Sequence, residues 1–143
     1  MDQLSAELAG QRILSCVVVT PEATVVESPA TFVALPLFDG EIGIAPGRAP
    51  LIGRLGYGEM RIVEGNNTRR YYVDGGFVEV AGNTVTVLTN RAVSAEQLDV
   101  QVARDQLESA LKRKADNDES LAIRDRLILQ ARAQIRMAGR VSS

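Results

Sequence analysis

The apolar period of the chain changes once, at Ser94, and that change limits the architectures open to it. From Ile13 to Val93 apolar residues recur in short β-branched or alternating runs, ILSCVVVT, ATVVE and ATFVALP, punctuated by Pro21 and by Ser28-Pro29. A period of two puts successive side chains on opposite faces of a pleated strand, and proline closes such runs. YGEMRIVE then leads through Gly65-Asn66-Asn67 into TRRYYV, and GFVEVA and TVTVLT flank Gly82-Asn83. Both read as hairpins, the second with a two-residue turn. Many short strands at close spacing predict an antiparallel β-sandwich or barrel over residues 1–93.

Beyond this point the period is helical. Ser94 followed by Gln97 fits a capping box, and Asp99 adds negative charge near the first turns. Leu98, Val102, Leu107, Ala110 and Leu111 form one apolar face. Ala115-Asp116-Asn117-Asp118 interrupts it, and a second helix starting near Glu119 carries Leu121, Ile128, Ala131, Ile135 and Ala138, with Gly139 at its end. Residues 94–143 are thus expected to form a helical hairpin, each helix of about 20 residues and roughly 30 Å. Two such helices have too thin a core to stand alone and need another surface.

Composition narrows the chemistry. The 143 residues suit one domain or a small domain with an appendage, and 45% hydrophobic content supplies a core. A net charge of −2 announces neither a nucleic-acid nor a membrane surface. The chain has no histidine and one cysteine, Cys16, inside an apolar run. His/Cys zinc sites and Ser-His or Cys-His dyads are therefore excluded within one chain, as is an intrachain disulfide. Cys16 is expected to be a buried, inert thiol. Carboxylate chemistry stays formally open, but no two acidic residues share a distinctive setting. No catalytic residue, metal site or cofactor is assigned. MDQLSAELAG carries acidic residues and no signal-like apolar run, and no stretch approaches the roughly 20 apolar residues of a membrane helix. A soluble, reducing compartment is the expectation.

Two features remain unexplained by a plain sandwich. FDGEIGIAPGRAP, Phe38 to Pro50, gathers three glycines and two prolines into what reads as a shaped, exposed corner. Arg124, Arg132, Arg136 and Arg140 lie at multiples of four, the last three within an arc of about 80°, and no acidic residue follows Asp125. Such a basic face is either simply solvated or suited to an acidic protein partner.

VVVTPEATVVES, LPLFDGEIGIAPGRAP, VDGGFVEVAGNTVTVLTNRAV and the helical tail resemble the epsilon subunit of F-type ATP synthases. The likeness runs from about Leu14 into the second helix and is strongest at Gly40 to Pro50 and Gly75 to Val80. It implies a sandwich of about ten strands with a C-terminal helical hairpin, in a rotor subunit without chemistry of its own. The sandwich would join the gamma subunit to the c-ring, peripheral to the membrane and away from nucleic acid. The location implied is the cytoplasmic face of a bacterial inner membrane, or a plastid thylakoid; the lack of a transit peptide favours either over a nuclear-encoded mitochondrial subunit. By position, Glu41 faces the c-ring and Arg48 faces gamma, where the family commonly has histidine. An extended tail would bring Arg124, Arg132, Arg136 and Arg140 to the beta subunits of the catalytic head and inhibit ATP hydrolysis.

Some relatives of this kind bind ATP through a Leu/Ile-Asp-x-x-Arg-Ala motif. Here Leu98, Asp99 and Ala103 are kept but Val102 replaces the arginine, and Val93 stands where those relatives have an acidic residue. Arg132 and Arg136 match positions that are also basic in them. The motif is degenerate, and weak or no ATP binding is expected. Two other readings stay open: a free-standing β-sandwich binding module with a helical dimerisation tail, and a jelly-roll or cupin enzyme. The second of these generally needs metal-binding histidines.

Overall fold

A computed structural model describes residues 12–139. The first ten residues and Arg140 therefore lie outside the described residues. Eight strands come first: β1 (Leu14–Val19), β2 (Thr24–Ala30), β3 (Phe32–Leu37), β4 (Gly40–Ile44), β5 (Leu51–Glu64), β6 (Asn67–Ala81), β7 (Thr84–Leu88) and β8 (Ala92–Ser94). A single 3-10 turn, Ala95–Gln97, leads into helices α1 (Val100–Leu111) and α2 (Asp118–Ala138). The strand path is β2-β1-β7-β6-β5-β3-β4, with β8 joined to β6. It wraps a single core to which Val18, Val33, Met60, Val73, Val80 and Val87 contribute, so the sheet closes over itself as a sandwich. One pairing departs from the antiparallel expectation: β1 and β7 run parallel.

The strand count differs from about ten because β5 and β6 are long. They pair in a constant register from Leu51↔Val80 to Glu64↔Asn67, with Gly56 and Gly75 facing one another midway. At that point both strands exchange their inward and outward faces. In β5 the core takes Leu55 before the glycine but Met60 and Ile62 after it; in β6 it takes Val73 before and Val78 and Val80 after. Strict alternation breaks there, which is why the sequence reads as separate strands. Gly76 beside it is obligatory: φ is +108°, and a Cβ would lie 1.9 Å from the Leu88 carbonyl oxygen.

The glycine-rich corner also holds regular structure. Gly40–Ile44 is an edge strand on β3, and a Cβ at Gly43 would strike the Phe32 ring. The remaining loop is pinned by Asn83, whose Oδ1 accepts from the Gly47 amide at 2.8 Å. Asn83 and Gly82 both have positive φ, as a two-residue hairpin turn with matching twist requires.

The helices correct three expectations. Ser94 does not cap a helix: it closes β8 opposite Tyr71 and makes no side-chain capping bond. Asp99 is the cap, accepting from the Gln101 and Val102 amides at 2.9 and 3.3 Å. Helix α1 consequently has 12 residues rather than about 20, while α2 has 21. Asn117 and Ser120 form the capping box that starts α2. Finally, the buried residues of the helices are mostly alanines, with Val102, Leu111 and Leu121 left exposed.

Candidate interaction surfaces

The exchange of faces at Gly56 and Gly75 gives β5 and β6 two different outer surfaces. On the half before Gly56, Ile52 and Arg54 stand outward beside Phe77 of β6 and Leu88 of β7. Ile52, Phe77, Leu88 and the turn residue Phe38 are each more than half exposed. The Arg54 guanidinium lies 5.0 Å over the Phe38 ring, a cation–π contact. Phe38, Arg54, Phe77 and Leu88, with Leu129 and Arg136 of α2, border an open cleft of about 1190 Å3 that no acidic side chain lines. An exposed apolar strip rimmed by cations has the character of an interaction surface.

On the other half, the outward residues Tyr57, Glu59, Tyr72 and Asp74 receive the tail. Tyr72 is fully buried in a small cluster with Ala95, Ala133 and Met137, separate from the sandwich core. Burial first, and the Asp74 carboxylate second, push its phenol well above the ordinary tyrosine value. Gln130 of α2 donates to Asp74 Oδ1 at 2.8 Å, and Arg70 donates to the Met137 carbonyl at 3.1 Å. Alanine brings the helix close, and the polar side chains fix its position.

A chain of ion pairs crosses this face. Arg61 and Arg70 are direct cross-strand neighbours, an arrangement that repels unless a carboxylate intervenes. Buried Glu59 does so, accepting from Arg70 Nε at 3.0 Å and from Arg61 at 3.4 Å. Arg61 also reaches across β3, over the small Ala34, to Glu41 at 3.1 Å. The Glu41 hydrogen bond is the largest influence holding Arg61 protonated above its ordinary range, opposed by burial and reinforced by Glu59.

The residues singled out in the sequence fall in different places. Glu41 sits on edge strand β4, in the ion-pair chain, and Arg48 is exposed in the loop held by Asn83. Arg124 is not on the outer basic face: it donates to the Leu111 carbonyl at 3.4 Å across the hairpin, with its Nε buried and unpaired. Arg132 and Arg136 are exposed. Asp99 caps α1, Leu98 and Val93 pack against the Tyr72 cluster, Ala103 is buried and Val102 faces out. Sequence reasoning missed Glu59, Arg70, Tyr72, Gln130 and Gln134. Their signal was faint: polar residues alternating along TRRYYVD and four apart on a helix. Cys16 is buried as expected, and burial raises its thiol to about 11. No helix among the described residues is long and apolar enough to cross a membrane.

Fold and surfaces together define a β-sandwich protein with a docked two-helix tail. Residues 13–95 match the family described as ATP synthase, Delta/Epsilon chain, beta-sandwich domain, and the chain belongs to that family. Curated relatives bear the name ATP synthase epsilon chain. The one from Rhodopirellula baltica is 47% identical over 123 residues, covering 86% of this chain and 96% of the relative. That from Solibacter usitatus is 36% identical, covering 85% and 90%. Among solved structures, a chain of the Euglena gracilis mitochondrial ATP synthase (OSCP/F1/c-ring) is similar in fold, with a TM-score of 0.77 and 19% identity. The match covers 85% of this chain and 79% of that one.

Proposed function

We propose that this chain is a central-stalk rotor subunit whose sandwich, residues 1–93, joins gamma to the c-ring, and whose tail, residues 94–143, is a releasable brake on ATP hydrolysis. The supporting observation is that the tail docks through its own small cluster around Tyr72, apart from the sandwich core. Releasing it leaves that core closed and returns Asp74 to water, which solvates a carboxylate well. Arg124's unpaired Nε would also gain hydration if the hairpin opened. A dock built this way separates without unfolding its platform.

The apolar strip of Phe38, Ile52, Phe77 and Leu88 supports the holding role, since obligate interfaces resemble a core cut open. Exposed Arg48, on a loop stiffened by Pro46, Pro50 and the Asn83 pin, is assigned to gamma, and Glu41 to the c-ring. Arg132, Arg136 and Arg140 are assigned to acidic groups of the beta subunits when the tail extends. Arg124 would join them only after leaving Leu111. In this reading the chain sits peripherally on the cytoplasmic face of a bacterial inner membrane, or on a plastid thylakoid.

Two measurements test the halves of this reading. Glu41→Lys with Arg48→Glu is expected to weaken co-purification with gamma and the ring at moderate salt while circular dichroism stays native. A chain ending at Ser94, the last residue of β8, is expected to assemble and to raise ATP hydrolysis by the complex. Unchanged hydrolysis at low and high ATP would make the tail a static cap. With valines at positions 93 and 102, calorimetry of the isolated chain should show no micromolar ATP binding.

A further inference from the structure

The ion pairs and hydrogen bonds that cross the docking face begin at Glu41 on edge strand β4 and end on the last turn of α2. In order they are Glu41 with Arg61, Arg61 with Glu59, Glu59 with Arg70, and Arg70 with the Met137 carbonyl. Glu41, Glu59, Arg136 and Met137 also line one small cavity of about 180 Å3, so the Glu41 carboxylate and the tail are neighbours.

We propose that Glu41 and the docked tail are energetically coupled through this relay, so that a cationic group of a partner seated on Glu41 loosens α2. The direction follows from the distances. Arg61 has one guanidinium for two carboxylates and lies closer to Glu41, at 3.1 Å, than to Glu59, at 3.4 Å. When a cation takes Glu41, Arg61 turns to Glu59. Arg61 then draws more of the carboxylate's charge through Oε1, and the hold of Oε2 on Arg70 falls. Arg70 is aimed at Met137 by that hold: its Nε and one terminal nitrogen both bond Glu59, and the same terminal nitrogen reaches the helix carbonyl. A fork fixed at one end is a good donor to a single carbonyl, whereas a free arginine is not. Glu59 and Arg70 are accordingly positioning residues, and Glu41 is the input. The link from partner to tail rests on the assignment of Glu41 to the c-ring; the coupling within the chain does not.

The isolated full chain tests it, by hydrogen exchange of peptides covering residues 127–139 with peptides from β7 as the control. Arg70→Met is expected to speed tail exchange by roughly tenfold or more, because a buried charge pair loses one member. Glu41→Gln, which only frees Arg61, should give about threefold, as a partly exposed pair allows. Glu41→Lys should exceed Glu41→Gln, since it repels Arg61 toward Glu59 as a partner's cation would. In an Arg61→Met background the Glu41 substitutions should lose their effect, the non-additivity that marks a shared path. If Arg70→Met also speeds exchange in β7, Arg70→Lys takes its place, keeping the charge and removing the fork. Tail exchange unaltered by Glu41→Gln and Glu41→Lys, or altered equally in the Arg61→Met background, overturns the coupling. Failure of Glu41→Lys to weaken assembly would overturn only the ring assignment.

Discussion

The two apolar clusters of this chain are built on opposite principles. The sandwich core draws β-branched and aliphatic side chains from seven strands and is closed to water on every side. The tail dock has two alanines, a methionine and a tyrosine, edged by Gln130, Gln134, Asp74 and Arg70. Dispersion and burial over a large area make the first cooperative with the whole fold. In the second, directional bonds to groups that water can replace set the geometry, and little area is at stake. One holds the shape of the sandwich; the other holds the tail against it.

The largest test of that contrast is Gly76→Val. With φ at +108° and the Leu88 carbonyl against the missing Cβ, the substitution should part β6 from β7 and cost about 3 kcal/mol or more, seen as a collapsed urea midpoint. Next, Ile62→Ala in the sandwich core should lower global stability by about 2–5 kcal/mol. Met137→Ala should leave the sandwich midpoint in place and free only the tail, read by hydrogen exchange. Equal global losses from the two would make the clusters one unit. Gln130→Ala removes a bond to Asp74 and should weaken docking by about 1 kcal/mol, again without moving the sandwich midpoint.

Alkaline pH separates the clusters further. The Cys16 thiol and the Tyr72 phenol are neutral acids held above their ordinary values, so each stabilises the folded state at lower pH and stops doing so as pH rises. For Cys16 the contribution is complete below 9.0 and fades as pH climbs through about 11. For Tyr72 it begins to fade only above 10.0. A thiol reagent at pH 8 should therefore leave Cys16 untouched in the native chain. The smallest effect is a null: Gln130→Ala should not change that reactivity, because the thiol lies in the other cluster.

The sandwich was legible because alternation writes one face of each strand into the order of residues. Legibility failed where two glycines let paired strands exchange faces together: local alternation survives on each side, but its phase does not. The corner from Phe38 was read as loop because Gly40 and Gly43 resemble punctuation, although Gly43 clears space for Phe32. The tail was misread for a different reason. Ser94 satisfies a capping pattern but is already paired to Tyr71, and tertiary pairing outranks a local cap. The helical spacing found the buried Ala110 and Ala131 but missed the face of Ala133, Gln134 and Met137, because this dock selects closeness, hence alanine. Glu59 and Arg70 are ordinary letters in a polar stretch; only the fold places Arg61 opposite Arg70 and makes a carboxylate between them necessary.

The exchange of faces at Gly56 and Gly75 has a mechanical meaning. Strands β5 and β6 pass through it without a break, so a load on the apolar half reaches the tail-bearing half as tension along covalent backbone, not as peeling of hydrogen bonds. Two glycines side by side offer little resistance to torsion about the strand axis. The pair should behave like a cable with a swivel, stiff when pulled and compliant when twisted, and the swivel lies between the apolar half of the sheet and the half that bears the tail.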